Sequence, residues 1–496
     1  MVLDSISKAR CDITSYLENY GPTLSSTIVD YLHEKCGINE AAARQRVSRA
    51  PSNVLRLSNI GLPDRVAFLY LSEHEGTELL RQRLATAFIK KKANAGVLLL
   101  SIIGRGGCAH AKHLPIISGA PLTHLRGHPT ASTVIDTLLR LRLIEETAHD
   151  EYGRIYSSNY QTPIPHNEYV AYCNIEKIMI ECTQSWLARL NFCVNSSSRF
   201  SHALPDCNGF GFDIVGKAKL RHFFSERNQS SDAYVVCDVN LIKEKLSLDD
   251  MLYFTKKIEI ASYSRVKQNI IPFFFAYDFT LDTIRALKKY GIIHARIRHV
   301  FGEEFAELLK HLHSILSNIS KALQDNPEQA GEIVSGILRV EGRSYNLRSV
   351  AFQFIVSQFI HFYGFRIDIN KQIRTSSGQQ AEIDVFADRN DLLYCIECKA
   401  FSPKNECGHE HVNSWIKEKL PRVVAWKREA YGNRKTKVVF CVSTTFRDRN
   451  LIAIPQTRDD ISFELWDSAY VTKGLKDAKL EKTLTLFNEH FSKGYI

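Results

Sequence analysis

Nowhere does the chain carry the Gly-x-x-x-x-Gly-Lys-Ser/Thr loop that cradles nucleotide phosphates, so it encodes no recognisable nucleotide-driven motor. It also lacks a long apolar run. Its most apolar stretches, Gly96 to Ile103 and Val350 to Phe365, are too short or too polar for a bilayer span of about 20 residues. The first residues, Met1-Val-Leu-Asp-Ser-Ile-Ser-Lys, have no basic segment followed by an apolar core, so no secretory signal is expected. The 12 cysteines form no compact framework, which fits reduced thiols and a cytoplasmic setting. His110, His113, His124 and His128 crowd one region without metal-ligand spacing, with only Cys108 nearby. Solvent-facing or phosphate-facing rings are expected there, not zinc.

What is present is ordinary globular material in quantity. A length of 496 residues implies two to four domains, and 44% apolar with 24% charged residues requires no disorder. The net charge of +10 favours an acidic partner, nucleic acid foremost.

Four units follow one another. In residues 1–74, two helical patterns, a tight turn at Gly37-Ile-Asn39, a basic helix from Glu40 to Arg49 and a hairpin at Val54–Leu57 and Val66–Tyr70 give the order of a winged helix. Arg44, Arg46 and Arg49 fall on the third helix, where that fold meets a DNA groove. The same helix reads equally as a solvated basic face of a protein-binding winged helix. Residues 75–162 repeat the order, with Val134, Ile135, Leu138 and Leu139 expected to be buried. After the linker Thr162-Pro-Ile-Pro165, residues 168–323 read as an α/β unit with strands near Phe192, Ile214, Tyr234 and Ile270. Residues 344–496 repeat that order: an apolar helix from Val350 to Tyr363, three strands, helical segments from His411 to Tyr431 and a strand from Lys437 to Ser443.

The most informative stretch lies in this last unit. Gln380-Ala-Glu-Ile-Asp384-Val-Phe-Ala and Tyr394-Cys-Ile-Glu397-Cys-Lys399-Ala read as two strands joined by a polar turn. Alternation puts Glu397 and Lys399 on one face. A carboxylate and an ammonium there, with Asp384 on the preceding strand, form a costly arrangement for a core. A structural salt bridge at a strand end is the plain explanation. The chemical one is a site for a hard divalent cation, held by Asp384, Glu397 and the backbone carbonyl of Cys398. Magnesium suits it, with manganese as a substitute. Lys399 would orient water or stabilise charge on a phosphoryl oxygen, so the parts suit phosphodiester hydrolysis. Cys395 and Cys398 fall on opposite strand faces, which argues against zinc shared with Cys407, His409 and His411.

Asp384 followed by Glu397-Cys-Lys399 resembles the PD-(D/E)xK nuclease superfamily, also called restriction-endonuclease-like. The preceding helix, Phe352-Gln-Phe-Ile-Val-Ser-Gln-Phe-Ile-His-Phe-Tyr-Gly-Phe365, is similar to the first helix of Mrr-type restriction enzymes. The resemblance covers roughly residues 345–445 and implies an αβββαβ domain, a metal-dependent endonuclease activity and catalytic roles for Asp384, Glu397 and Lys399. Where the family often has a helix-borne Glu that helps bind metal, this chain has Gln353. Glu382, on the same strand face as Asp384, is the candidate for the missing charge. The middle unit fits the same template, with Asp213 where Asp384 stands and Asp238-Val-Asn240 where Glu397-Cys-Lys399 stands. Asn240 carries no charge, so that copy is expected to be degenerate.

The expected protein is thus multidomain: tandem winged helices (α+β), then two α/β restriction-endonuclease-like domains, the first degenerate. A basic band that includes Lys427, Arg428 and Lys435 follows the site strands; it is partly a solvated helix face and partly a phosphate track. The expected setting is a prokaryotic restriction or anti-phage defence system. Expected partners are DNA, a defence-system protein such as an ATPase, and a second copy of the chain, with no membrane. The alternative is a non-catalytic DNA-binding regulator or adaptor on an inactivated nuclease fold.

Overall fold

The structure is a computed structural model that describes residues 12–149, 153–201, 203–219, 233–263, 269–319, 322–323, 331, 334–336, 346–455 and 460–492. The chain is a multidomain α/β protein with two five-stranded mixed sheets and small antiparallel sheets near its N-terminus.

The first unit begins with α1 (Ile13–Tyr20), which starts where the Asp12 carboxylate accepts from Ser15 N at 2.7 Å. It stops at Gly21, whose φ of +79° suits a residue without a Cβ. Then come β1 (Thr23–Leu24), α2 (Ser25–Glu34), α3 (Glu40–Ser48), β2 (Val54–Leu57) and β3 (Phe68–Leu71), with the strands in antiparallel order β1-β3-β2. Leu17, Ile28, Leu32, Val47 and Leu69 fill the space between helices and sheet. This is the order of helices and hairpin expected from the sequence.

The second unit holds α4 (Glu78–Lys90), α5 (Asn94–Gly104), β4 (Cys108–His110), α6 (Leu114–Ile117), α7 (Ala131–Arg140), β5 (Ile144–His149) and β6 (Gly153–Ser158). The apolar run Gly96 to Ile103 lies within α5, which is buried on most sides. On α7, Val134 and Leu138 are buried, whereas Ile135 and Leu139 are half-buried and not in the core as expected. No helix among the described residues is long and apolar enough to cross a membrane.

The middle unit runs α8 (His166–Arg189), β7 (Cys193–Ser198), the short pair β8 (Asp206–Cys207) and β9 (Phe210–Gly211), β10 (Ile214–Ala218), β11 (Ala233–Val239), α9 (Leu252–Tyr263), β12 (Asn269–Ala276), α10 (Leu281–Lys289), β13 (Ile293–Arg296), α11 (Ile297–Val300) and α12 (Glu303–Leu316). Its sheet is ordered β7-β10-β11-β12-β13. The first two junctions are antiparallel and the last two parallel. The C-terminal unit runs α13 (Asn346–Phe362), β14 (Arg366–Arg374), β15 (Gln380–Arg389), β16 (Leu392–Lys399), α14 (His409–Glu418), α15 (Leu420–Tyr431), β17 (Thr436–Val442), β18 (Ile461–Trp466), α16 (Ser468–Asp477) and α17 (Glu481–His490). Its sheet, β14-β15-β16-β17-β18, has the same sequence of antiparallel and parallel junctions. A parallel junction needs a crossover, and helices supply it between β11 and β12, β12 and β13, and β16 and β17.

The first helices of these two units, α8 and α13, touch each other, and one apolar core runs through both units. That contact explains why residues 351–360 of α13 are buried on every side. One face lies on β14, β15 and β16, and the others meet α8 and α16. Among the described residues ten cysteines are not in disulfides, nine of them buried, while Cys36 is disulfide-bonded, against the expectation of reduced thiols.

Candidate functional site

The ladder between β15 and β16 ends at the pair Val385–Ile396. Just beyond it the strands carry Asp384 and Glu397, which are 8% and 4% exposed. Asp384 Oδ2 accepts the backbone N–H of Cys398 at 2.7 Å, so a side chain replaces the ladder partner there. The N–H and C=O of one strand residue point the same way, so the Cys398 carbonyl faces Asp384 as well. Lys399 Nζ lies 2.8 Å from Glu397 Oε1, with its own side chain 46% exposed. Lys419, at the junction of α14 and α15, binds the other oxygen, Glu397 Oε2.

These neighbours separate the two carboxyls. Burial, and then the Glu397 charge, push Asp384 up to about 7 against the pull of Lys419 and Lys399. Burial also pushes Glu397 up, but the ammonium groups of Lys419 and Lys399 outweigh it and hold Glu397 below its usual range. A raised carboxyl gives stability that is complete below its unfolded pKa, 3.8, and is lost as pH rises through about 7. Without metal, the protonated Asp384 therefore adds stability that melting scans should show fading from roughly pH 4 to about pH 7. Asp384→Asn, still able to accept from Cys398 N, should melt a few degrees above the parent at about pH 8. A variant that melts level with the parent there would contradict the buried, charge-opposed carboxyl.

The donor set fits a hard cation. Asp384, Glu397 and the Cys398 carbonyl offer only oxygen, and magnesium takes one or two carboxylates with waters completing the shell. Among the described residues no three His, Cys, Asp or Glu side chains converge on one point, so the carboxylate supply stops at two. Gln353, on α13, is buried, and its Oε1 has no hydrogen-bond partner among the described residues. An orphaned amide oxygen is available to a cation. Glu382 is not: its oxygens are taken by Lys177 Nζ at 2.9 and 3.0 Å and by Gln372 Nε2 at 2.6 Å. The expectation that it adds a ligand is corrected on that ground.

The middle unit repeats the backbone part of this construction. Its β10–β11 ladder ends at Ile214–Cys237, and Asp213 and Asp238 follow as Asp384 and Glu397 do. Asp213 Oδ2 accepts Val239 N at 2.8 Å, the counterpart of the Asp384–Cys398 bond. Lys257, on the crossover helix α9, reaches Asp238 at 2.7 Å, as Lys419 reaches Glu397. Three buried cations fill this copy. Arg199 bonds Asp213 at 3.0 Å and Glu176 at 2.5 Å, and Arg105, from the second unit, bonds Glu176 at 2.7 Å and the Val239 carbonyl at 2.9 Å. With Lys257 they balance the acids Glu176, Asp213 and Asp238, so each of these carboxylates already has a cationic partner.

The remaining expected residues divide. Arg44 and Arg46 are exposed on α3 and Arg49 just past its end, with Arg44 in a surface pair with Glu40. Arg428 and Lys435 are exposed. Lys427 is not on that surface: it is buried and bonded to Asp460 at 2.6 Å, because α15 turns it inward. Expecting it on a phosphate track is therefore corrected. His113 is likewise buried, 2.7 Å from Arg199, and burial first, then the Arg199 charge, hold its ring well below the usual pKa. It is buried and not the solvent-facing ring expected. Lys419 belongs to the basic band after the site strands, and nothing local in the sequence marks it as a partner of Glu397. Its one sequence signal is the matching position of Lys257 after β11.

No protein-family model matches the chain, and no curated protein matches it either. Five solved chains match it. One is the crystal structure of a protein of unknown function, AF1548, with 14% identity and a TM-score of 0.17. The match covers 25% of this chain and 64% of that one, less than two thirds of its length.

Proposed function

We propose that the chain is a magnesium-dependent DNA endonuclease of the PD-(D/E)xK, restriction-endonuclease-like type, with its C-terminal unit cutting and its N-terminal units, read as tandem winged helices, docking. The observation that carries the reading is the juxtaposition of Asp384, Glu397 and Lys399 at the splayed ends of β15 and β16. Asp384, Glu397 and the Cys398 carbonyl would hold the ion, with Gln353 Oε1 as a further neutral donor. A bound magnesium supplies charge neutralisation and a more acidic water. The protein's own part is positional. Glu397 holds Lys399 by one oxygen, and the exposed ammonium faces outward toward water and the developing charge on the scissile phosphate. Arg44 and Arg46 on α3 and Arg49 at its C-terminal cap, with the exposed Arg428 and Lys435 at the far end of the β16–β17 pair, supply phosphate contacts that should make binding fall steeply with salt. The middle unit is a closed copy that pairs with the active one through α8 and α13. The resemblance adds the setting: a prokaryotic cytoplasm and a restriction or anti-phage defence system, with an ATPase as a partner for any energy-driven step.

The second reading, a DNA-binding adaptor on a retired nuclease fold, is favoured by one observation. Lys419 occupies Glu397 as Lys257 occupies Asp238 in the closed copy. A cleavage panel separates the two. Duplex, single-stranded and modified DNA and RNA are incubated with magnesium or manganese. Metal-dependent cleavage of at least one DNA form is the expected result. Intact substrates throughout, with DNA still bound, would favour the adaptor.

A further inference from the structure

A cavity of about 260 Å³ lies where the second unit, α8 and the strands β14 and β15 meet. That is close to the lower size, roughly 300 Å³, of small-molecule sites. Its walls carry Lys112, Lys177, Arg199 and Arg374 against a single carboxylate, Glu382. Lys177 is spent on Glu382, and Arg199 on Glu176 and Asp213. Lys112 and Arg374 are exposed and have no ion-pair partner among the described residues. Two uncompensated cations from different units thus border one small space. Beside them stands Phe200, 43% exposed, with the Arg199 guanidinium 5.0 Å from its ring centre. The side-chain amides of Asn174 and Gln380 also line it, with His113 and Tyr169, while the amide of Gln372 is bonded to Glu382.

Cations for a phosphate, an aromatic face for a base and amides for a base edge are the requirements of one nucleotide. An acidic peptide would need the cations alone. Position supports the same occupant. Glu382 lies on the cavity wall and stands two residues before Asp384 on the same strand, a separation of about 7 Å. We propose that the cavity holds a single unstacked nucleotide of the strand bound at the Asp384–Glu397 site. The inference rests on the nuclease reading and narrows it to substrates with an unpaired, terminal or extruded nucleotide next to the cut.

The test is calorimetric titration of the full chain with a nucleoside 5′-monophosphate, with inorganic phosphate and the free nucleoside as separate arms. The monophosphate should bind more tightly than either. Lys112→Ala with Arg374→Ala, both at exposed positions that leave the fold intact, should weaken it about tenfold, as should Phe200→Ala. Lys289→Ala, at an exposed position on α10, should leave it unchanged. No monophosphate binding, equal binding of inorganic phosphate, or binding indifferent to these variants would overturn the proposal. A chain that cuts DNA but binds no monophosphate loses this inference alone. A chain that binds it but never cuts loses the nuclease reading alone.

Discussion

Lys399→Ala is expected to lower the cleavage rate by about 10²–10³ while leaving DNA affinity within about twofold. The Lys399 side chain is 46% exposed, so its loss opens no cavity. Glu397 keeps Lys419 on its other oxygen, so the buried carboxylate is not left uncompensated. DNA docking is assigned to α3 and to the exposed Arg428 and Lys435, away from this ammonium. What disappears is a positive charge poised where negative charge develops, and that affects the chemical step. The measurement is single-turnover cleavage at saturating magnesium beside equilibrium DNA binding. Cleavage within threefold of the parent would remove Lys399 from the mechanism. A parallel loss of binding would instead make it a docking residue.

Lys257→Met is expected to destabilise the middle unit by about 3–5 kcal/mol, because it leaves Asp238 buried without its counter-charge. The side chains of Lys257 and Asp238 are both 0% exposed, so no water can take over the role. The ammonium also donates to the Gly211 carbonyl at 2.8 Å and lies 4.2 Å from the centre of the Phe212 ring. Burial pulls the Lys257 pKa down, and the Asp238 charge only partly restores it. Adding Asp238→Asn to Lys257→Met removes the orphaned charge and should return a large part of the loss. Urea denaturation of parent, single and double variants measures this. A single variant as stable as the parent, or a double variant less stable than the single, would contradict the description of this copy as an electrostatically closed site.

The two α/β units share one backbone device and differ in what surrounds it. In each, an aspartate replaces a ladder partner at the splayed end of an antiparallel pair, and a lysine from the crossover helices meets the acid on the next strand. In the middle unit the following position is Asn240, and buried arginines complete the charge balance. In the C-terminal unit it is Lys399, on the exposed side. The proposed loss of catalysis in one copy thus goes with the gain of a rigid contact: Arg105 ties the second unit into the middle sheet.

The order of elements was legible because it follows from short-range physics. Alternating apolar residues set β14, Gly21 and Gly364 stop helices, and the polar run Asp388-Arg-Asn-Asp391 separates β15 from β16. The pairing of Asp384 with Glu397 was legible for the same reason, since a tight hairpin fixes register. The terminal additions β18, α16 and α17 were not recognised in the sequence, because their partners lie on distant elements. Charge balance was decided by tertiary structure alone. Arg105 stands 71 residues from Glu176, and Lys419 stands 22 from Glu397. Lys427 and Arg428 are neighbours in sequence, yet one is buried against Asp460 and the other exposed. A sequence fixes which residues carry charge. Which charges lose their water, and which opposite charges meet them, depends on long-range packing that no local spacing encodes.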